Sequence, residues 1–323
     1  MTEGLVSATE GLVSTIVPVF NRSALLVEAV SSALEQTYPQ LEVIIVDDAS
    51  TDDTPRVIAS LCERDARVRS VRRENGGPGL ARETGRQAAR GEFIQYLDSD
   101  DLLLPRKFEL QVAALRADPG AGIAYGITRY RDAAGNEIAC TWKEANQVQR
   151  KMFPSFLVSR WWETVAPLFR RSVTDAAGPW TELRLEEDWE YDCRIATHDP
   201  NLAFVDEVLA EHRDHPEARL SRGGNDPERL RMRARAHVLI AGHAQTAGVD
   251  RRLPEMQHLG RDLFHLARQC GAAGLRQESR ELLTAAVKIS AARDLRTYNF
   301  VARLIGVRNA GTVAEALDRM RSR

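Results

Sequence analysis

Two acidic clusters each close an apolar run. Asp98–Ser99–Asp100–Asp101 follows FIQYL, and Asp47–Asp48 follows LEVIIV. Three carboxylates within Asp98–Asp101 repel one another unless a cation or hydrogen-bond donors compensate them. Hard divalent ions such as Mg²⁺ or Mn²⁺ prefer carboxylate oxygens and commonly take one or two of them together with phosphate oxygens. The same acidity also suits a solvated helix start. The twelve-residue ligand spacing and central Gly of an EF-hand are absent. Val46–Asp47–Asp48–Ala49–Ser50 reads either as a turn with a cap or as a carboxylate that accepts from a base N–H or a ribose hydroxyl.

Other residues in the chain suit the same chemistry. Asn75–Gly76–Gly77–Pro78–Gly79–Leu80–Ala81–Arg82 is a Gly-rich turn into a helix. It matches neither the P-loop nor the dinucleotide fingerprint, and it follows the third predicted strand rather than the first. Arg82 reads either as a surface residue or as a nucleotide contact. Glu186–Glu187–Asp188–Trp189 brings carboxylates to a predicted helix start; there Asp188 would stay ionised and could act as a general base. His212–Arg213–Asp214–His215 is either an exposed polar loop or a source of a metal or phosphate ligand in His215. Trp161–Trp162 is either core or an exposed platform for a sugar ring.

The elements that must position these groups alternate from Ser14 onward. STIVPVF predicts a strand, ALLVEAVSSALEQ a helix and LEVIIVDD a strand. RVIASLCER predicts a helix capped by Asp53 or Thr54, and RVRSVRRE a more exposed strand. The Gly-rich turn leads into a third helix ended by Gly91. EFIQYLD predicts a fourth strand, and PRKFELQVAALRAD a helix with Pro105 in its first turn. This alternation predicts a mostly parallel sheet with helices on both faces. Ligands of such sheets bind beyond the carboxyl ends of the strands, so Asp47, Asp48, Asp98 and Asp100 are expected on one rim. After Gly120 two strands joined by an Asp132–Asn136 turn are expected. ETVAPLFRR reads as strand-like, a helix is expected from Glu187, and NLAFVDEVLAEHRDH is extended. From Asn225 the chain reads as amphipathic helices.

Composition narrows the function classes. The chain has 323 residues, a net charge of −2, 43% hydrophobic and 28% charged residues. That balance is ordinary for a globular protein and gives no bulk electrostatic case for nucleic acid. The 4 Cys (Cys62, Cys140, Cys193 and Cys270) form no C-x-x-C pair, which favours reduced thiols and a cytoplasmic setting over a zinc site or a disulfide framework. MTEGLVSATEGLVS has no secretory pattern, and EGLVS occurs in it twice. No run reaches the about 18–20 apolar residues of a bilayer span. Arg229, Arg231, Arg233 and Arg235 read as a solvated charged face or as a peripheral contact with the inner face of a membrane.

An ordered set of segments resembles the family 2 glycosyltransferases of the GT-A fold. These are Val17–Pro18–Val19–Phe20–Asn21–Arg22, Glu42–Asp52, Asn75–Gly76 with Ala81–Arg82, and Gly91–Asp101. Pro167–Arg171, Gly178–Pro179–Trp180, Glu187–Asp188–Trp189, Arg213-x-His215 and Ser221 follow. The resemblance covers residues 14–222 and departs mildly from the family pattern at Phe20 (often Tyr), Ala49 (usually Gly) and Glu83 (often Asn).

That resemblance implies an α/β, Rossmann-like nucleotide-diphospho-sugar transferase fold with a C-terminal α-helical region. It divides the chain into a flexible tail (1–13), a catalytic domain (14–222; nucleotide half 14–119, acceptor half 120–222) and helices (223–323). Asp47 or Asp48 would contact the base or ribose, with Pro18, Phe20, Asn21, Arg82 and Ser99 lining the same pocket. Asp98 would bind ribose or metal-bound water, Asp100 and His215 would hold Mn²⁺ or Mg²⁺, and Asp188 would be the base. Trp161, Trp162 and Glu187 are candidate acceptor contacts. The expected activity is inverting sugar transfer from a nucleotide-diphosphate sugar, UDP-sugar favoured, to a glycan, lipid-linked or small-molecule acceptor. The C-terminal helices would pack, dimerise or touch a membrane. The competing readings are a nucleotidyltransferase, which would normally bring a basic Gly-rich loop near the first strand, and a non-catalytic sugar-nucleotide-binding module.

Overall fold

The computed structural model describes residues 9–138, 148–215 and 226–290. They divide into two units.

The first unit is built on one mixed sheet. Strands β1 (Thr9–Val19), β2 (Leu41–Asp47), β3 (Val68–Arg72) and β4 (Gly91–Tyr96) pair in parallel in the order β3-β2-β1-β4. The near-continuous burial of β1 and β2 explains their unbroken apolar runs, since strands covered on both faces have no polar side to alternate. β3 lies at the sheet edge, and its alternating burial matches its more polar sequence.

Helices α1 (Ser23–Leu34), α2 (Thr54–Arg64) and α3 (Pro78–Ala88) make the crossovers between these strands. α1 buries Leu26, Ala29, Val30 and Ala33, a helical stripe that joins Val13, Val17 and Phe93 in the core. In α3, Gly85 lies so close to the sheet that a Cβ there would collide with the side chain of Ile16.

Beyond β4 come β5 (Leu102–Leu103), α4 (Lys107–Ala117), β6 (Ala121–Arg131), β7 (Glu137–Ile138), β8 (Leu168–Arg170), α5 (Arg171–Ala177) and, after residue 197, β9 (Asn201–Arg213). The sheet continues β4-β8-β6-β9-β5, with β8 antiparallel to β4 and β6, β6 parallel to β9, and β5 antiparallel to β9. The expected β6–β7 turn is present, with Asp132 N–H donating to Asn136 O. The second unit holds α6 (Glu187–Ala196), α7 (Pro227–Thr246), α8 (Pro254–Ala272), α9 (Arg276–Ile289) and a 3₁₀ turn at Ser155–Leu157. Asp226 caps α7 through bonds from the N–H groups of Glu228 and Arg229.

Several expectations need correction. β1 begins at Thr9, inside the stretch 1–13 read as a tail. Pro105 precedes α4 rather than entering it, and Asp53 holds the cap position of α2 without a side-chain cap bond. The helical unit takes in 153–159 and 185–197, both within the range read as catalytic domain. Trp161 and Trp162 are not exposed platforms: they are 4% and 0% exposed and pack edge-on to one another, with Trp161 also edge-on to Tyr125 and Trp162 tilted against it. Large rings gain more from burial in this aromatic core than from facing water. Arg231 and Arg233 are ion-paired to Glu278 and Glu186, which accounts for two of the four α7 arginines without a membrane. Cys140, Ser221 and most of the 140–154 loop lie outside the described residues. Among the described residues Cys62, Cys193 and Cys270 form no disulfide, and no helix is long and apolar enough to cross a membrane.

Candidate active site

The carboxyl ends of β1, β2 and β3 each present polar groups. β1 ends in Val19, so Phe20 emerges 48% exposed beside Asn21; Pro18 remains in register within the strand, opposite Val46. Asn21 stands in the left-handed region (φ 50°). Its Oδ1 accepts from Thr51 N–H at 2.7 Å and its own N–H donates to Ser50 Oγ at 3.0 Å. Asn21 therefore ties the turn after β1 to the turn after β2.

The two aspartates that end β2 are held differently. Asp48 accepts from the N–H groups of Gly76 (2.9 Å) and Gly77 (2.7 Å) and pairs with Arg73 at 2.6 Å. It anchors the Gly-rich turn, where Gly77 at φ 89° adopts a conformation that only glycine takes readily. Asp47 accepts from Ser50 N–H at 2.8 Å and pairs with Arg72 at 2.5 Å. Arg72 is half exposed. Ala49, between this pair and Ser50, is left-handed at φ 67°. That gives the physical reason the resembled pattern has Gly there.

The turn after β4 carries the second acidic cluster. Asp98 pairs with Arg82 at 2.7 Å, and the Arg82 guanidinium lies 4.9 Å from the centre of the Trp180 ring. Arg82 is thus a buried residue of the site, not a surface cation. Ser99 is buried within the turn. Pairing of Leu102–Leu103 with Ala210–Glu211 brings the turn against the end of β9. As a result His215 Nε2 lies 2.7 Å from Asp100 Oδ2, and Arg22 Nη1 lies 2.9 Å from the same oxygen. Arg213 Nε donates to the backbone oxygen of Asp100 at 2.7 Å. Asp101 pairs with His212 at 3.0 Å. Burial pushes its carboxyl up to about 6, against the pull of His212.

Asp100 and His215 are a carboxylate and an imidazole within touching distance, both suited to Mn²⁺. Among the described residues no group of three or more His, Cys, Asp or Glu is placed to hold an ion. The pair fits a cation whose remaining ligands come from substrate phosphate and water, as Mg²⁺ usually takes them.

Asp188 belongs to the helical unit. It is half-buried in the first turn of α6, where Oδ1 accepts from Trp189 N–H at 2.8 Å. Glu187 beside it is buried, 7% exposed. α6 is fixed by Glu186 to Arg233 (3.1 Å) and His237 (2.9 Å), by Glu190 to His243 (2.8 Å), and by Trp189 Nε1 to Phe156 O (2.8 Å).

Three residues of the first unit's site, Arg72, Arg73 and Arg184, were not singled out from the sequence, and Arg22, Trp180 and His212 only as parts of longer segments. Arg184 bonds Asn75 Oδ1 at 2.9 Å. Arg72–Arg73 lies at the carboxyl end of a predicted strand, so the carboxyl-end rule would have found it. Arg184 carried no such signal.

A parallel β3-β2-β1-β4 sheet with acidic and basic groups gathered at its carboxyl rim is the frame of a nucleotide-binding α/β fold. Residues 14–172 match the family model for glycosyl transferase family 2, and the fold is that of GT-A glycosyltransferases. Chondroitin synthase of Escherichia coli is 41% identical over 128 residues, 40% of this chain and 19% of that protein. The chain spans between 13% and 19% of the length of curated relatives matched at 40–44% identity. S. aureus TarS 1–349 in complex with UDP-GlcNAc shares the fold at a TM-score of 0.67 and 19% identity, over 95% of this chain and 92% of that one. The mannosyltransferase PcManGT from Pyrobaculum calidifontis, in complex with GDP-Man and Mn²⁺, aligns at a TM-score of 0.52 and 21% identity, over 95% of this chain and 89% of that one.

Proposed function

We propose that this chain moves a sugar from a nucleoside diphosphate sugar, a UDP-sugar for preference, to an acceptor hydroxyl by direct displacement with inversion. The observation that carries this reading is the meeting of His215 and Arg22 on Asp100, at the same sheet rim as the Asp47–Asp48 turn. Such a site offers a cation position, guanidinium groups for phosphate oxygens, and a carboxylate for the base or ribose. TarS in complex with UDP-GlcNAc and PcManGT in complex with GDP-Man and Mn²⁺ support the substrate class and the metal.

The residues divide the work as follows. Phe20 offers an exposed ring on which a base can stack. Asp47 is the base or ribose acceptor, because its Arg72 partner is solvent-accessible and able to move, whereas Asp48 is committed to the Gly76–Gly77 turn. Arg82, held over Trp180, orients Asp98 for the ribose. Asp100 and His215 would hold the cation, which when bound would stabilise the negative charge of a departing diphosphate by several kcal/mol. Asp188 takes the proton of the acceptor hydroxyl; a positioned carboxylate contributes about 10²–10⁴-fold.

Incubation with a panel of UDP- and GDP-sugars, with and without Mn²⁺, tests the reading. Transfer, or hydrolysis of one donor, is expected only with the metal. Binding without turnover for every donor and acceptor would favour a non-catalytic module.

A further inference from the structure

Asp100 Oδ2 already receives two cationic or hydrogen-bonding partners. His215 Nε2 stands at 2.7 Å and Arg22 Nη1 at 2.9 Å, with the Arg22 and Asp100 side chains 17% and 11% exposed. A divalent ion coordinated by this oxygen would lie within a few ångströms of the Arg22 guanidinium, a like-charge contact strongly unfavourable in a poorly solvated site. Metal and Arg22 therefore compete for one carboxylate.

The backbone around Arg22 is well fixed. Its N–H donates to Thr54 Oγ1 at 3.0 Å, and its carbonyl accepts from Leu26 N–H at 3.2 Å at the start of α1. Asn21 before it is clamped to Thr51 and Ser50. Any displacement must then come from the Arg22 side chain, which is long enough to change partner without moving α1. A diphosphate beside the metal supplies that partner, since guanidinium binds phosphate oxygens through two parallel bonds. Arg213 is placed differently, because its guanidinium is shared between the Asp100 carbonyl and Glu28.

Resting on the reading of Asp100 and His215 as metal ligands, we propose that Arg22 is an internal counter-ion that couples the metal to the donor. It occupies Asp100 until a nucleoside diphosphate draws it onto the phosphates, and it thereby makes metal and diphosphate bind cooperatively. Linkage requires each ligand to raise the affinity of the other by the same factor.

The test measures free Mn²⁺ by electron paramagnetic resonance during titration of the full chain, with and without UDP. The variants are Arg22→Gln and Arg22→Lys, with thermal unfolding confirming that both fold. Native chain is expected to bind Mn²⁺ at least tenfold more tightly with UDP present. Arg22→Gln is expected to bind Mn²⁺ alone roughly tenfold more tightly than native, to bind UDP with Mn²⁺ more weakly, and to lose most of the coupling. Arg22→Lys, which keeps the charge, is expected to stay near native for Mn²⁺ alone. Unchanged or weaker binding of Mn²⁺ alone by Arg22→Gln overturns the assignment while leaving the metal site standing. No Mn²⁺ binding by native chain under any condition overturns both.

Discussion

His215 Nε2 lies 2.7 Å from Asp100 Oδ2 across 115 residues of sequence. The pairing depends on a two-residue strand, β5, antiparallel to β9. Asp100→Ala is expected to abolish the Mn²⁺-dependent rise in melting temperature and the metal-dependent transfer. His215→Ala should retain both with Mn²⁺ affinity at least roughly tenfold weaker, about 1.4 kcal/mol. Thermal shift against Mn²⁺ concentration, with UDP present, checks this.

Asp47 and Asp48 are adjacent yet should respond differently to amidation. Asp48→Asn leaves a carboxamide that cannot accept at both oxygens, so the Gly76–Gly77 turn loses part of its anchor; the expected loss of stability is about 2–3 kcal/mol. Asp47→Asn keeps an oxygen for Ser50 N–H and loses an ion pair with a half-exposed Arg72, worth at most about 1 kcal/mol. Its effect should appear in donor KM instead. Urea unfolding beside donor kinetics separates the two, and equal stability losses would contradict the division.

Asp188→Asn is expected to lower kcat by about 10²–10⁴-fold with donor affinity nearly intact. Turnover at the native rate would remove Asp188 from the role of base.

Trp162 is fully buried, so Trp162→Ala should cost about 3–5 kcal/mol of stability. Donor affinity in the folded fraction should be unchanged. A stable variant with a selective rise in acceptor KM would restore the sugar-platform reading.

Burial acts to raise the Glu190 carboxyl, but bonds from His243 and Arg194 hold it below its ordinary value. A depressed native value means the stabilisation is full above the unfolded pKa of about 4.3 and drains as pH falls through the native value. Glu190→Gln should therefore destabilise by about 3 kcal/mol at pH 7, by leaving its partners without a buried counter-charge. The gap to native should close on acidification, as followed by urea midpoints across pH.

Strand and helix order along β1 to β4 was legible because doubly buried strands read as unbroken apolar runs. The rim carboxylates were legible because each follows such a run. What the sequence hid was partnership: Arg22 on Asp100 and Arg82 between Asp98 and Trp180 depend on side-chain reach across strands, which no local spacing encodes. The indoles at 161–162 were ambiguous for a related reason, since composition cannot say which face of a loop turns inward. Ala49 is a case where the pattern departs from glycine and the backbone still adopts φ 67°, at a penalty of about 1–2 kcal/mol.

Among the described residues the helical unit is threaded by three separate stretches of chain, 153–159, 185–197 and 226–290. Shortening the protein to residues 14–222 would thus strip α6 of α7, which supplies Arg233 and His237 to Glu186 and the His237 ring to Trp189. Such a fragment should surface as an aggregating species rather than a minimal enzyme. Chimeras that swap the C-terminal helices need to exchange α6 and the 3₁₀ turn along with them.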